Sequence, residues 1–322
     1  MFKGKYFVKS HAPFFHNGNC ITVKNYETMI AAMPAVLGGL CLFGAKALGV
    51  ICLSISFSIF WETLFNRLVR REDSVWDGNA ALIGLLFGMM MPATVPWWLI
   101  ATGTFAAIFI GKMIYGGLGC NPLNPVLVAV AMIILSWPKF IDFNAALTNY
   151  NFQFEAMFPL TAAKYFPDRL SNYTVWQMFL GCQTGGIGTT FSLGVLIGGI
   201  WLIARGYVRW EIPASFLAAL IITATVFRVS SPENYASPFF HLVTGYTLLG
   251  AFFLAPEDSS SPVNVIPMIL YGALAGIFII LIRNIGAYED GTVFAILLMN
   301  VVNPLIDKIR PKAIKFRRIE NA

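Results

Sequence analysis

Charge is what this sequence has least of. Only 12% of its 322 residues are Asp, Glu, Lys or Arg, about half of the roughly 25% that a soluble domain carries. Another 57% are hydrophobic and the mean hydropathy is +0.69. So little polar surface cannot cover a soluble globule, and the chain reads as a bilayer protein. Histidine is scarce: His11 and His16 lie in a polar N-terminal stretch and His241 opens an apolar run, and each reads as a solvated residue rather than a ligand. The five cysteines, Cys20, Cys41, Cys52, Cys120 and Cys182, have no CxxC spacing, which argues against a metal cluster within one chain. Phosphate loop and nucleophile elbow are both missing, which excludes the common hydrolase and transferase frameworks. The first 20 residues are basic and lack a continuous apolar core, so no cleavable signal peptide is expected.

What is present is a series of apolar runs near membrane length. They fall at roughly 28–45, 47–66, 79–92, 95–114 and 121–137, and again at 188–204, 210–227, 239–255, 265–282 and 291–306. The third and eighth are short and end in proline (MMMPATVP, FLAPEDSSSP), as broken elements do where backbone lines a cavity. A weak repeat relates LLFGMMMPATVP, GTFAAIFIGKMIYGGLG and NPVLVAVAMIIL to LLGAFFLAPEDSSSP, GALAGIFIILIRNIGAYEDG and VFAILLMNVVNP. The expected fold is an all-α polytopic membrane protein, with about ten transmembrane helices in two inverted five-helix halves. Its parts are a cytoplasmic segment 1–27, a first half 28–137, an outer loop 138–187, a second half 188–306 and a basic cytoplasmic tail 307–322. Most of the 22 Lys and Arg then fall on the side of both termini, which the positive-inside rule makes cytoplasmic. The formal charge of +6 is thus a topology signal and gives no reason to expect nucleic acid as a partner.

Candidate site residues cluster in two places. GGLGCNPLNPV, Gly116 to Val126, has glycines for tight backbone and two Asn-Pro pairs suited to a turn feeding a helix N-terminus. Gly116, Gly117, Asn121 and Asn124 are its candidates for holding a non-covalent flavin or an ion; blandly read, the stretch only starts a helix. Glu257 and Asp258, after the second broken run, are candidates for an ion path, because ionisable groups near membrane depth are costly. Glu62 and Asp307 read as helix-end residues that snorkel, and Asp290 starts the last run.

The string KMIYGGLGCNPLNPVLVAVAMIILSWP resembles the RnfD and NqrB family, membrane subunits of ion-translocating ferredoxin:NAD and NADH:quinone oxidoreductases. The likeness continues through residues 185–216, 241–262 and 272–307 in the family's order, and is closer to RnfD. It implies ten helices in two inverted halves, a bacterial or archaeal cytoplasmic membrane, and a flavin (riboflavin or FMN). It also implies A-, B-, C-, E- and G-like partner subunits, especially a flavin-bearing G-like subunit on the outer side. In the family, the outer loop carries an Asp-x-x-Ser/Thr-x-Ala-Thr-Pro-Leu motif whose last threonine is esterified to FMN. Here Pro159 and Leu160 keep the frame, but Phe158 occupies the acceptor position and Glu155 and Met157 replace the Ser and Ala. Covalent FMN is therefore not expected, with Thr161 a remote alternative acceptor. Phe154, Phe158, Ala162 and Tyr165 recur at helical spacing, which predicts a short amphipathic segment on the outer surface, Phe158 facing the membrane or a partner's flavin. Two readings follow: a redox-linked translocase subunit with non-covalent flavin, or a flavin-free channel-like scaffold.

Overall fold

A computed structural model describes residues 20–70, 74–141, 143, 154 and 157–309. His11, His16, Glu155, the N-terminal basic residues and the tail beyond Ile309 lie outside the described residues. Every regular element among the described residues is helical. Helix α1, Ile21–Val69, has 49 residues, about twice what one crossing needs. It is interrupted at Gly44, whose φ of 62° and ψ of −146° suit glycine alone. The runs expected at 28–45 and 47–66 thus meet at a single residue.

Helix α2, Asn79–Met90, ends where Met91 turns extended ahead of Pro92. Helix α3, Trp97–Phe105, continues through a π-helical turn, Ala106–Ile110, toward Tyr115. Helix α4 is Pro125–Ser136, and two short helices follow, α5 at Pro159–Tyr165 and α6 at Val175–Phe179. Then come α7, Ser192–Ala204, and α8, Glu211–Ser230. The next apolar run is broken into α9, Pro238–Val243, and α10, Thr247–Leu249, the latter prolonged by a π-helical turn, Gly250–Leu254. Helices α11, Val265–Asn284, and α12, Thr292–Ile306, complete the described fold.

Four stretches are long and apolar enough to cross a membrane: α1, Trp97–Tyr115, α8 and α11. Helices α2, α4, α7 and α12 are apolar but shorter. The long helices turn large aliphatic side chains outward at helical spacing: Ile30, Met33 and Leu37 on α1, and Ile222, Val226 and Val229 on α8. Such stripes are stable only against lipid or another apolar surface. Inward, small residues four apart let helices approach closely, since lipid offers no hydrophobic drive between them. Gly84 and Gly88 of α2 lie on Ser54 of α1, Gly194 and Gly198 of α7 on Ala35 and Ala31, and Gly272 and Gly276 of α11 on α8 at Ile212 and Phe216. The best buried side chains, including Phe87, Met89, Met90, Phe216 and Tyr271, sit around the two interrupted runs.

Candidate functional site

Both interrupted runs leave helix-end carbonyls inside the protein, where each needs a donor. For α2 the donors come from far along the chain. The Ile187 and Gly188 amides donate to Met91 O (3.1 Å) and Met89 O (2.8 Å), and the Tyr246 hydroxyl donates to Met90 O (2.8 Å). A side chain at Gly186 would lie 2.8 Å from Met90 O, so the strand-like approach of this segment requires glycine. For the second run, the Asn124 amide donates to Leu254 O (3.0 Å). The same Asn124 caps α4, its Oδ1 accepting from the Val126 and Leu127 amides.

Beside this link lies a pocket of about 190 Å³ with Lys24, Thr28, Lys112, Asn121, Asn124 and Glu257 in its wall. Asn121 donates to Glu257 Oε1 at 2.7 Å and accepts from Ser259, while Ser260 donates to Glu257 Oε2 at 2.8 Å. Burial pushes the Glu257 carboxyl up to about 7, although hydrogen bonds from Asn121, Ser260 and Ser259 pull the other way. Asp258, next in sequence, is largely exposed and pairs with Lys24 at the start of α1. The two carboxylates expected as one ion path are therefore in different environments. Gly116 and Gly117 are not in the pocket wall; with φ of 118° and 103° they shape the turn that returns the chain to Asn121.

Sequence reasoning missed the pocket's cation. Lys112 Nζ lies 2.9 Å from both Glu62 oxygens, and the two side chains are 2% and 0% exposed. Glu62 therefore does not snorkel, as its place near a helix end suggested; it holds Lys112 in the interior, helped by the Ser74 hydroxyl at 2.6 Å. The available signal was two lone charges of opposite sign in apolar runs. Asp307 accepts from the Val263 amide and more distantly from Asn264.

At the opposite end of α4, roughly 18 Å away at 1.5 Å per residue, the protein presents a different surface. A cavity of about 410 Å³ is lined by Phe143, Phe158, Tyr165, Tyr246 and Tyr288. Phe158 is 3% exposed, its ring 4.8 Å from that of Phe143. The outer segment expected to be amphipathic over Phe154–Tyr165 is shorter than its pattern. Pro159 starts α5, so Phe154 lies outside the helix, and Phe158 packs inward instead of onto the membrane surface. Thr161, the remote alternative acceptor, lies within α5 and is 8% exposed.

The fold and pocket together define a multi-pass helical membrane protein in which the start of α4 is stitched to the second of two interrupted apolar runs at a polar site. The sequence matches the NQR2, RnfD, RnfE family over residues 8–315, and the chain belongs to that family. It is 32% identical to the D subunit of the ion-translocating oxidoreductase complex of Aeromonas salmonicida, covering 95% of this chain and 98% of the relative. The corresponding D subunits of Pectobacterium carotovorum (32%) and Escherichia coli (30%) match over the same shares.

Proposed function

We propose that this chain is the membrane-embedded D subunit of an Rnf-type complex that couples electron transfer between ferredoxin and NAD to Na⁺ or H⁺ translocation, with a flavin held non-covalently in the Asn121–Glu257 pocket. The carrying observation is that Asn124 and Asn121 join the start of α4 to the second interrupted run, at Leu254 O and Glu257, in the wall of a polar pocket. Family membership supports the role, and the relatives' name supports membership in a complex. In this reading about ten spans form two inverted halves, both termini face the cytoplasm of a bacterial cell, and the A-, B-, C-, E- and G-like subunits are the partners.

The pocket residues suit a flavin ring edge. Leu86, Phe252 and Phe253 supply an apolar wall, and a ring edge would share the Asn121 amide, which otherwise donates to Leu123 O and Glu257, while Lys24 and Lys112 are neutralised by Asp258 and Glu62. A pocket below the ~300 Å³ typical of drug-sized ligands takes a ring inserted from its open side, not a whole dinucleotide. Bound flavin would accept and pass on electrons. Glu257, titrating near neutrality, would take up or release a proton at the pocket wall, and Asp258 at the rim would draw cations in. A flavin-free scaffold is the second reading, favoured by the buried phenyl ring at the family's acceptor position.

Flavin absorption of the purified native chain separates the two. The Asn121→Leu/Asn124→Leu variant is expected to lose bound flavin and ion-coupled turnover while still assembling; full turnover would reduce the motif to helix capping. The denatured chain is expected to have the mass of the bare polypeptide. A flavin-sized increment on the 153–166 peptide would overturn that and point to Thr161.

A further inference from the structure

We propose that a cavity of about 310 Å³ at the end of α8 seats the headgroup of a zwitterionic, ethanolamine-type phospholipid, its phosphate on Arg228 and its ammonium on Glu233. The cavity lies between the last turn of α8, the loop leading into α9 and the 3-10 turn Pro167–Asn172, with Tyr173, Tyr235 and Phe240 as its aromatic wall. Helix α8 is apolar and 20 residues long, about 30 Å, which is the thickness of the hydrocarbon layer. Arg228, in its last turn, therefore stands at headgroup depth. The lipid-facing stripe of Ile222, Val226 and Val229 runs up to it, and Phe239, beside Phe240 in the chain, is 62% exposed. The cavity thus opens where acyl chains meet headgroups.

The wall carries one charge of each sign, and neither is neutralised by the protein. Among the described residues, Arg228 and Glu233 form no ion pair with each other or with any third group. A headgroup with only a negative charge would meet Glu233, and one with only a positive charge would meet Arg228; a zwitterion matches both. The guanidinium fork suits two oxygens of a phosphodiester. The ammonium has N–H groups to donate to the Glu233 carboxylate, and it is favoured further by the carbonyl end of α8 and by the faces of Tyr173 and Tyr235. These rings are held in place without a ligand: Tyr235 packs edge-to-face on Phe227 at 5.2 Å, and the Tyr173 hydroxyl donates to Met157 O at 2.8 Å. A lipid seated here would fasten the Pro167–Asn172 turn to the end of α8. The site is separate from the Asn121–Glu257 pocket and does not depend on what that pocket holds.

The test is native mass spectrometry of the full chain released from nanodiscs of equimolar phosphatidylethanolamine and phosphatidylglycerol. The unaltered chain is expected to keep a phosphatidylethanolamine in preference to a phosphatidylglycerol. Arg228→Gln should weaken that retention about tenfold, as loss of one charge-assisted hydrogen bond does. Glu233→Gln should leave lipid bound but remove the preference between the two headgroups. Both side chains are exposed, so neither substitution disturbs packing. Arg169→Gln, on the neighbouring turn but outside the cavity wall, should change neither retention nor preference. Equal retention of the two lipids by the unaltered chain would overturn the proposal and leave annular lipid only, as would a preference that Arg228→Gln and Glu233→Gln both keep. A loss in Arg169→Gln as large as in Arg228→Gln would overturn it too, by making net charge the cause.

Discussion

Lys112 and Arg283 lie near the ends of the α3 stretch and of α11, and the sequence repeat makes them counterparts. The protein buries both, by different means. Lys112 has one partner, the two oxygens of Glu62, brought from 50 residues earlier. Arg283 spreads its fork over Asp290, Thr247 and the His241 and Thr244 carbonyls, so its carboxylate is one acceptor among several. An ammonium is a compact point charge that one carboxylate can match, while a planar guanidinium needs acceptors in several directions. The first arrangement stands on a single pair; the second is a network that also fixes the turn before α12, where Asp290 accepts from the Tyr246 and Thr292 amides.

The largest effect is therefore expected at the single pair. Glu62→Gln strands Lys112 in the interior, at a cost of about 3–5 kcal/mol. It should show as a lower thermal midpoint and less folded protein in the membrane. Adding Lys112→Met should recover most of the loss, because removing both charges also removes the stranded one. No recovery in the double variant would mean that the pair has a role beyond mutual neutralisation.

Glu257 extends the comparison to a buried carboxylate held only by neutral partners, Asn121, Ser259 and Ser260. Its folded value, about 7, lies above the ordinary carboxyl value of 4.5, so the folded protein holds this proton more tightly than the unfolded chain does. The protonated carboxyl's contribution is complete below about pH 4.5 and is lost as pH rises through about 7, on the order of 3 kcal/mol in all. Thermal midpoints measured from pH 4.5 to 8 should fall across this window in the unaltered chain and flatten in Glu257→Gln. An equal fall in both would assign the pH dependence elsewhere.

What could be read from the sequence followed the chemistry of single positions. Pro92 marked where the first run breaks and Pro256 where the second run ends, whereas the break inside the second run, between Val243 and Thr247, carried no proline; the Asn-Pro pairs marked the start of α4, because these residues restrict their own backbone. Contacts set by distant chain were not readable. Glu62 could not be paired with Lys112 without the approach of α1 to the π-helical end of the α3 stretch. The inward turn of Phe158 depends on Phe143 and on the space beside Gly185. Glu257 and Asp258, adjacent and alike in type, differ only because one faces Asn121 and the other Lys24.

The network around Arg283 predicts a smaller penalty for losing its carboxylate than the single pair does. Asp290→Asn keeps one oxygen, enough for the Thr292 amide on Oδ1 or the Tyr246 amide on Oδ2 but not for both, and leaves Arg283 its hydroxyl and carbonyl acceptors. A loss of about 1–3 kcal/mol is expected, within the range for one impaired buried hydrogen bond. A loss equal to that of Glu62→Gln would show that Arg283, too, depends on one partner.

The least effect on stability is expected at the exposed pair of Lys24 with Asp258, where the carboxylate is 74% exposed. Water already solvates this carboxylate, so Asp258→Asn should cost less than about 1 kcal/mol and be masked by moderate salt. Its position gives it a separate consequence. Lys24 and Asp258 both line the rim of the Asn121–Glu257 pocket, and their contact ties the start of α1 to the loop after the second interrupted run. Loosening it should therefore change how fast a ligand enters and leaves the pocket more than it changes the midpoint of unfolding. With the pocket holding flavin as proposed, exchange measured at low and high salt tests this: the unaltered chain should exchange faster as salt rises, and Asp258→Asn should be fast and insensitive to salt. Salt-independent exchange in the unaltered chain would reduce the pair to a surface contact.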